Sequence, residues 1–184
     1  MFGKRRWRVT ERKDSGRLKT VTRIFIFDDP DGSIAKQLQN GASIERFVDK
    51  LKEVRTIEGN VFLNEGINFI WLAVTGATGL TYFDGSHAYI GVGDGTAVED
   101  PSQTGLQGTN KYYKLVDSGY PQVSGNLVKF RATFGPDEAN FSIKEWTVAN
   151  GNSDAAVNLN RKVQDLGTKA SGTTWTIEFQ LQIT

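Results

Sequence analysis

Three glycines around one aspartate, Gly91-Val92-Gly93-Asp94-Gly95, close an apolar run that begins at Ala88. Such a cluster has three chemical readings: a cradle of backbone amides for a phosphate, a loop of oxygen ligands for a metal, or a tight bend after a strand. A phosphate cradle needs its glycines to open into a helix, so that the helix amides meet the anion. Here the chain continues as TAVEDPSQTGLQG, with Pro101 and further turn formers, no Lys-Ser/Thr, and no strand–helix–strand unit around it. Nucleotide binding therefore lacks its structural context. Gly91, Gly93, Asp94 and Gly95 are expected to form a structural turn whose glycines supply positive φ.

The other chemistry-bearing residues read in the same way. FDDPDGS looks like a calcium loop until its positions are counted. With Gly32 as the sixth position, the first falls on Phe27 and the twelfth on Leu38, where ligating oxygens are required. A turn is the better reading, with Pro30 fixing φ, Gly32 bending and Ser33 capping the next helix. Asp137 and Glu138 sit side by side in a Gly-Pro loop, and spacing supplies no second carboxylate partner for glycosidase chemistry. Glu145 lies between Ile143 and Trp146–Val148, where it either faces outward or forms a cross-strand ion pair with Arg131. A chain with no Cys and the single histidine His87 has no thiolate chemistry and no His-rich metal or triad constellation. No catalytic residue, metal or cofactor is expected.

The elements that must position these groups fall into three stretches: 1–27, a basic arm and first strand; 28–79, helical; and 80–184, antiparallel β. RLKTVTRIFIF is rich in β-branched and aromatic residues and reads as extended. In the second stretch, SIERFVDKLKEV carries Ser43 as a helix cap and Ile44, Phe47, Val48 and Leu51 on one face. A second helix carries Leu63, Ile67, Ile70, Trp71 and Val74 at i, i+4, i+7, i+8 and i+11 and ends near Gly76. It is expected to lie against a sheet. In the third stretch six short runs alternate between turn signals. The clearest sets Trp175, Ile177, Phe179, Leu181 and Ile183 against Thr174, Thr176, Glu178, Gln180 and Gln182. The fold class expected is α+β: a predominantly antiparallel β-sandwich or open barrel with a small helical subdomain and an extended basic N-terminal arm.

Hydrophobic residues at 38% and charged residues at 23% describe an ordinary globular chain. The longest apolar stretch, near Phe69 to Val74, is far short of the ~20 residues that span a bilayer, and no secretory signal is visible. The net charge of +1 hides an asymmetry: residues 1–23 hold nine of the 22 Lys/Arg but two of the 21 Asp/Glu. The arm residues Lys4, Arg5, Arg6, Trp7, Arg8, Arg12, Lys13 and Arg17 suit an acidic protein surface, or nucleic acid through phosphate contact and stacking.

The order AYIGVGDG, PSQTGLQGTNKYYK, VKFRATFGPDEANFSIKEWTVAN and NLNRKVQDLGTK resembles the N-terminal module of the phage tail-collar fibre family, over about residues 88–169. Members of that family usually have Gly-Leu-Phe after the glutamate, where this chain has Trp146-Thr147-Val148, and the helical stretch and basic arm lie outside the pattern. The resemblance implies that Asp94 and Glu145 are architectural, with Glu145 anchoring a loop. It implies a non-enzymatic virion structural protein, made in the host cytoplasm, whose partners are other virion proteins and copies of itself. Tail association as a fibre, baseplate or tail-tip adaptor is the first reading. The alternatives are a head decoration protein whose arm laces over neighbouring subunits, favoured by the arm and the missing fibre shaft; a glycan-cleaving or glycan-binding host-recognition module presenting Trp146, Tyr112, Tyr113 and Tyr120 as sugar platforms; and a cytoplasmic regulator that uses the arm on DNA.

Overall fold

The alternating run at the C-terminus becomes the centre of a five-stranded sheet. A computed structural model describes residues 18–184, and the expected arm, Lys4 to Arg17, lies outside them. The elements are β1 Leu18–Asp28, α1 Ser33–Gln39, a 3-10 helix Ile44–Lys50, β2 Leu51–Glu58, β3 Val61–Phe62, α2 Asn64–Val74, β4 Tyr89–Gly93, β5 Lys111–Leu115, β6 Gln122–Ser124, β7 Leu127–Phe134, β8 Glu145–Ala149, β9 Asn160–Val163 and β10 Thr173–Ile183. One sheet has the order β2-β1-β10-β7-β6, the other β3-β9-β8-β4-β5. Every strand pair is antiparallel.

The register explains the core. Ile24, Ile177 and Ala132 stand in one row across β1, β10 and β7, with Phe179 and Phe130 in the next. From this inner face they meet Ile90, Val92, Trp146 and Val148 of the second sheet in one buried cluster. Such alternation, apolar inward and polar outward, lets two sheets bury one layer of side chains between them. Trp146 is fully buried there, and its indole N–H donates to Thr22 Oγ1 at 3.2 Å.

A second, smaller cluster covers the opposite face of the first sheet. Phe27 packs with Ile34 and Leu38 of α1, flanked by Ile44, Phe47 and Leu51. Asp29, not Ser33, secures the start of α1: its carboxylate accepts from the amides of Ile34 (3.0 Å) and Ala35 (2.9 Å) and from the Thr174 hydroxyl (2.8 Å). The side chain of a buried acid thus satisfies helix N–H groups that have no partner within the helix.

The helical expectation for 28–79 is corrected in two places. The helix expected from Ser43 is a 3-10 turn with non-helical dihedrals at Phe47 and no side-chain cap. From Leu51 the chain is a strand paired with β1 from Phe27↔Leu51 to Val21↔Glu58. The physical reason is β1 itself. An eleven-residue apolar strand leaves a long unpaired edge unless a partner takes it, and LKEVRTIE, with β-branched Val54, Thr56 and Ile57, can do so. The second correction is the orientation of α2. Only Gly66 and Phe69 of that helix are buried, while Ile67, Ile70, Trp71 and Val74 of the expected inward stripe are exposed. Gly66 fixes this orientation, because a Cβ there would lie 2.5 Å from the Leu159 carbonyl oxygen and 2.6 Å from its Cα.

Gly66→Ala is therefore expected to lower the unfolding free energy by ~1–3 kcal/mol, the range for overpacking a tight contact. Asn68→Ala on the exposed side of the same helix should stay within ~0.5 kcal/mol of the parent. Urea denaturation of the two variants checks both.

Candidate functional site

The residues singled out in the sequence converge on the outer face of the second sheet. Here the connection between β4 and β5, residues 94–110, folds back over the strands. Connections longer than ~12–15 residues without regular structure are uncommon in compact domains, so what orders this one is informative. Glu145, at the start of β8, lies opposite Gly93 of β4 and is fully buried. Its Oε1 accepts from Gly95 N (3.1 Å), Gln107 N (3.0 Å) and Gly108 N (2.6 Å), and its Oε2 from Gln107 N at 3.1 Å. Arg161 of β9, also fully buried, donates Nε to Oε2 at 2.7 Å, with Nη2 at the same distance. The remaining arm of the guanidinium, Nη1, donates to the Ala97 carbonyl (2.9 Å) and to Gln103 Oε1 (2.8 Å). A single ion pair thus grips both ends and the middle of the loop.

Two further carboxylates close the loop's margins. Asp94 Oδ1 accepts from the amides of Thr109 (2.7 Å) and Asn110 (3.0 Å), and Oδ2 from Asn110 Nδ2 (2.6 Å). The Asn110 side chain, followed by these amides, holds the Asp94 carboxyl below its ordinary range. Asp154 accepts from Leu106 N (3.1 Å), Lys111 Nζ (2.5 Å) and the Tyr113 hydroxyl. Burial pushes the Tyr113 hydroxyl pKa upward, and the Asp154 carboxylate adds to it. Every one of these oxygens is occupied by a backbone or side-chain donor of the chain itself.

The expected pair Glu145–Arg131 does not form. Arg131 is buried on the outer face of the first sheet, where Nε donates to Asp117 Oδ2 at 2.9 Å and Nη2 to the carbonyls of Leu38 and Ala42. The chain crosses between sheets after β7, so β7 and β8 are not neighbours and the two charges lie on opposite outer faces of the sandwich. Glu145 does anchor a loop, as the resemblance implied. The reading of the glycines is also corrected: none of Gly91, Gly93 and Gly95 has positive φ. They are required by close approach. A Cβ at Gly93 would sit 2.6 Å from Glu145 Oε1, one at Gly95 would strike the same oxygen, and one at Gly91 would lie 2.5 Å from the Tyr113 ring.

The other candidates are used structurally too. His87 is exposed and its Nδ1 lies 2.9 Å from Asp84 Oδ1. Glu138 binds Gly135 N (2.8 Å), the Tyr112 hydroxyl (2.9 Å) and Lys114 Nζ (2.6 Å), whereas Asp137 reaches only Ser171 Oγ, at 3.5 Å. Tyr120 lies under the Arg131 guanidinium, 4.4 Å from ring centre to Cζ. Trp146 is enclosed in the core, so the four aromatics proposed as sugar platforms do not share an accessible face. Among the described residues no group of three or more His, Cys, Asp or Glu is placed to hold a metal ion, and no helix is long and apolar enough to cross a membrane. The sequence reading missed Arg161, Asp117, Asp154 and Lys169. Arg161 alone carried a signal, a cation inside the strand-like run NLNRKV. No family model matches the chain, and no curated protein or solved structure matches it either.

These contacts generate two predictions. Glu145→Gln and Arg161→Met are each expected to cost ~3–5 kcal/mol, because either leaves the other charge buried without its partner. In a double-mutant cycle the two should couple by at least ~1 kcal/mol, while Glu145→Gln with Arg131→Met should be additive within ~0.5 kcal/mol. The second concerns Lys169, fully buried, which donates to the Gly135 carbonyl (2.7 Å) and Asn140 Oδ1 (2.9 Å). Burial lowers its pKa to about 8 from 10.5, so folding favours the uncharged amine. That contribution to stability is lost as pH falls through 8 and grows as pH rises toward 10.5. Denaturation curves between pH ~8 and ~9.5 should show a steeper gain for the parent than for Lys169→Met; above this window the ionisation of tyrosines in the unfolded chain opposes it.

Proposed function

We propose that this chain is a non-enzymatic structural component of a bacteriophage virion, acting in particle assembly and associated with the tail. The observation that carries the reading is the convergence at Glu145. The segments of the phage-like series meet there: the Gly-Asp-Gly turn through Gly95, the PSQTGLQG segment through Gln103, Gln107 and Gly108, the glutamate itself, and NLNRKV through Arg161. A chance likeness of scattered motifs has no reason to collect them around one carboxylate. The geometry also favours an architectural role over a reactive one. A general acid or base needs a proton-transfer position open to substrate, whereas the oxygens of Glu145 are taken up by three amides and a guanidinium. Exposed apolar side chains that share one helix, Ile70, Trp71 and Val74 among them, provide contact surface of the kind an assembly component uses.

The test is mass spectrometry of gradient-purified particles produced from the genome that encodes the chain. The expected result is several copies per particle, with an antibody label on the tail. Absence of the chain from such particles overturns the proposal, and a label confined to the head overturns its tail placement.

A further inference from the structure

We infer that the outward stripe of α2 is a self-association surface, on which the same helix of a second copy packs across a two-fold axis. This deepens the assembly reading by naming the contact. Ile67, Ile70, Trp71 and Val74 recur at i, i+3, i+4 and i+7, the spacing of a helix seam that meets another helix. In this fold the seam has no partner: the four side chains are 39%, 37%, 62% and 73% exposed. The side of α2 that meets the body is made instead of Gly66, Phe69 and the half-buried Ala73. Solitary exposed apolar residues need no explanation, and Val98, 81% exposed on the 94–110 loop, is one. A heptad-like stripe on one helix is different, because an isolated 11-residue surface helix gains nothing from it without a partner.

Charge and area select the occupant. The stripe carries no charged residue, and Glu65, the only one on α2, is engaged with Asn158 N at 3.0 Å. An uncharged apolar seam can face itself without like-charge repulsion, which is what a two-fold contact demands. No Lys or Arg occurs between Thr56 and Asn110, so α2 and the segments that flank it in sequence offer a polyanion no cations. Leu72 and Tyr82, 38% and 51% exposed, belong to the other side of α2, where Tyr82 stacks edge-on against Phe69, 6.1 Å between centroids. The four stripe side chains present roughly 450 Å² on one copy, within the range of the largest patch on a typical monomer. Two copies would bury about 900 Å², the size of a weak, reversible contact.

Sedimentation equilibrium of the full chain tests this. The parent is expected to be a dimer at about 10–100 μM, and Trp71→Glu with Val74→Glu a folded monomer, its association weakened at least ~100-fold. Val98→Glu should leave the mass unchanged. Because the chain has no Cys, Ile70→Cys near the middle of the stripe supplies a second readout that preserves the apolar surface: it should form a disulfide-linked dimer on mild oxidation, and Val98→Cys should not. A parent that stays monomeric to about 100 μM, a double variant that still dimerises, or equal cross-linking at both positions overturns the inference. A chain that dimerises through α2 but is missing from particles retracts the assembly function alone, and a particle component that is monomeric in solution retracts this surface alone.

Discussion

A carboxylate removed from water must be matched by donors, and Glu145 is matched by a loop. Burying an unpaired charge costs several kcal/mol, so the acid folds only together with Arg161 and the three amides that fill its lone pairs. The dependence runs in both directions. Residues 94–110 have no regular structure to order them, and fixing a backbone residue costs ~1–2 kcal/mol in entropy. The loop holds one conformation because its amides have buried charge to bond. Gly93 and Gly95 belong to the same constraint, since any side chain there would occupy the space of the Glu145 oxygens.

The sandwich supplies the platform that makes this possible. Its two sheets bury one layer between them, leaving two outer faces that are treated differently. The first sheet's outer face is covered by α1 and the 3-10 helix, with Arg131 and Asp117 beneath them. The second sheet's outer face is covered by the loop, with Glu145 and Arg161 beneath it. Each cover is fastened by a buried acid–arginine pair whose remaining hydrogen bonds go to backbone groups and to the side chains of Thr133 and Gln103, so the charges locate the covers as well as neutralising one another.

How much of this is legible in the sequence depends on which signals are local. Alternation in β7 and β10 and the glycine-bounded runs of β4, β5, β8 and β9 are properties of neighbouring residues, and those strands were legible. Strand β2 was not, because Leu51–Glu58 is ambiguous alone and becomes a strand only beside the long edge of β1. The partner of Glu145 was misassigned because chain order suggested that β7 and β8 pair, and nothing local records that the chain changes sheets between them. The glycines looked like bend residues because a contact across some fifty positions, Gly95 to Glu145, leaves no trace in spacing. In α2 the period was legible but not its direction: Ile67, Ile70, Trp71 and Val74 form a true seam, and it is the unseen contact of Gly66 with Leu159 that turns the seam outward.

The central claim is that the Glu145–Arg161 pair makes residues 94–110 part of the rigid body of the fold. Native-state hydrogen exchange at the amides of Gly95, Gln107 and Gly108 measures this most directly, since each donates to Glu145. The account predicts that they open only with global unfolding, with the same free energy as core amides of β10. Exchange at the rate of an exposed loop, with β10 still protected, would contradict it.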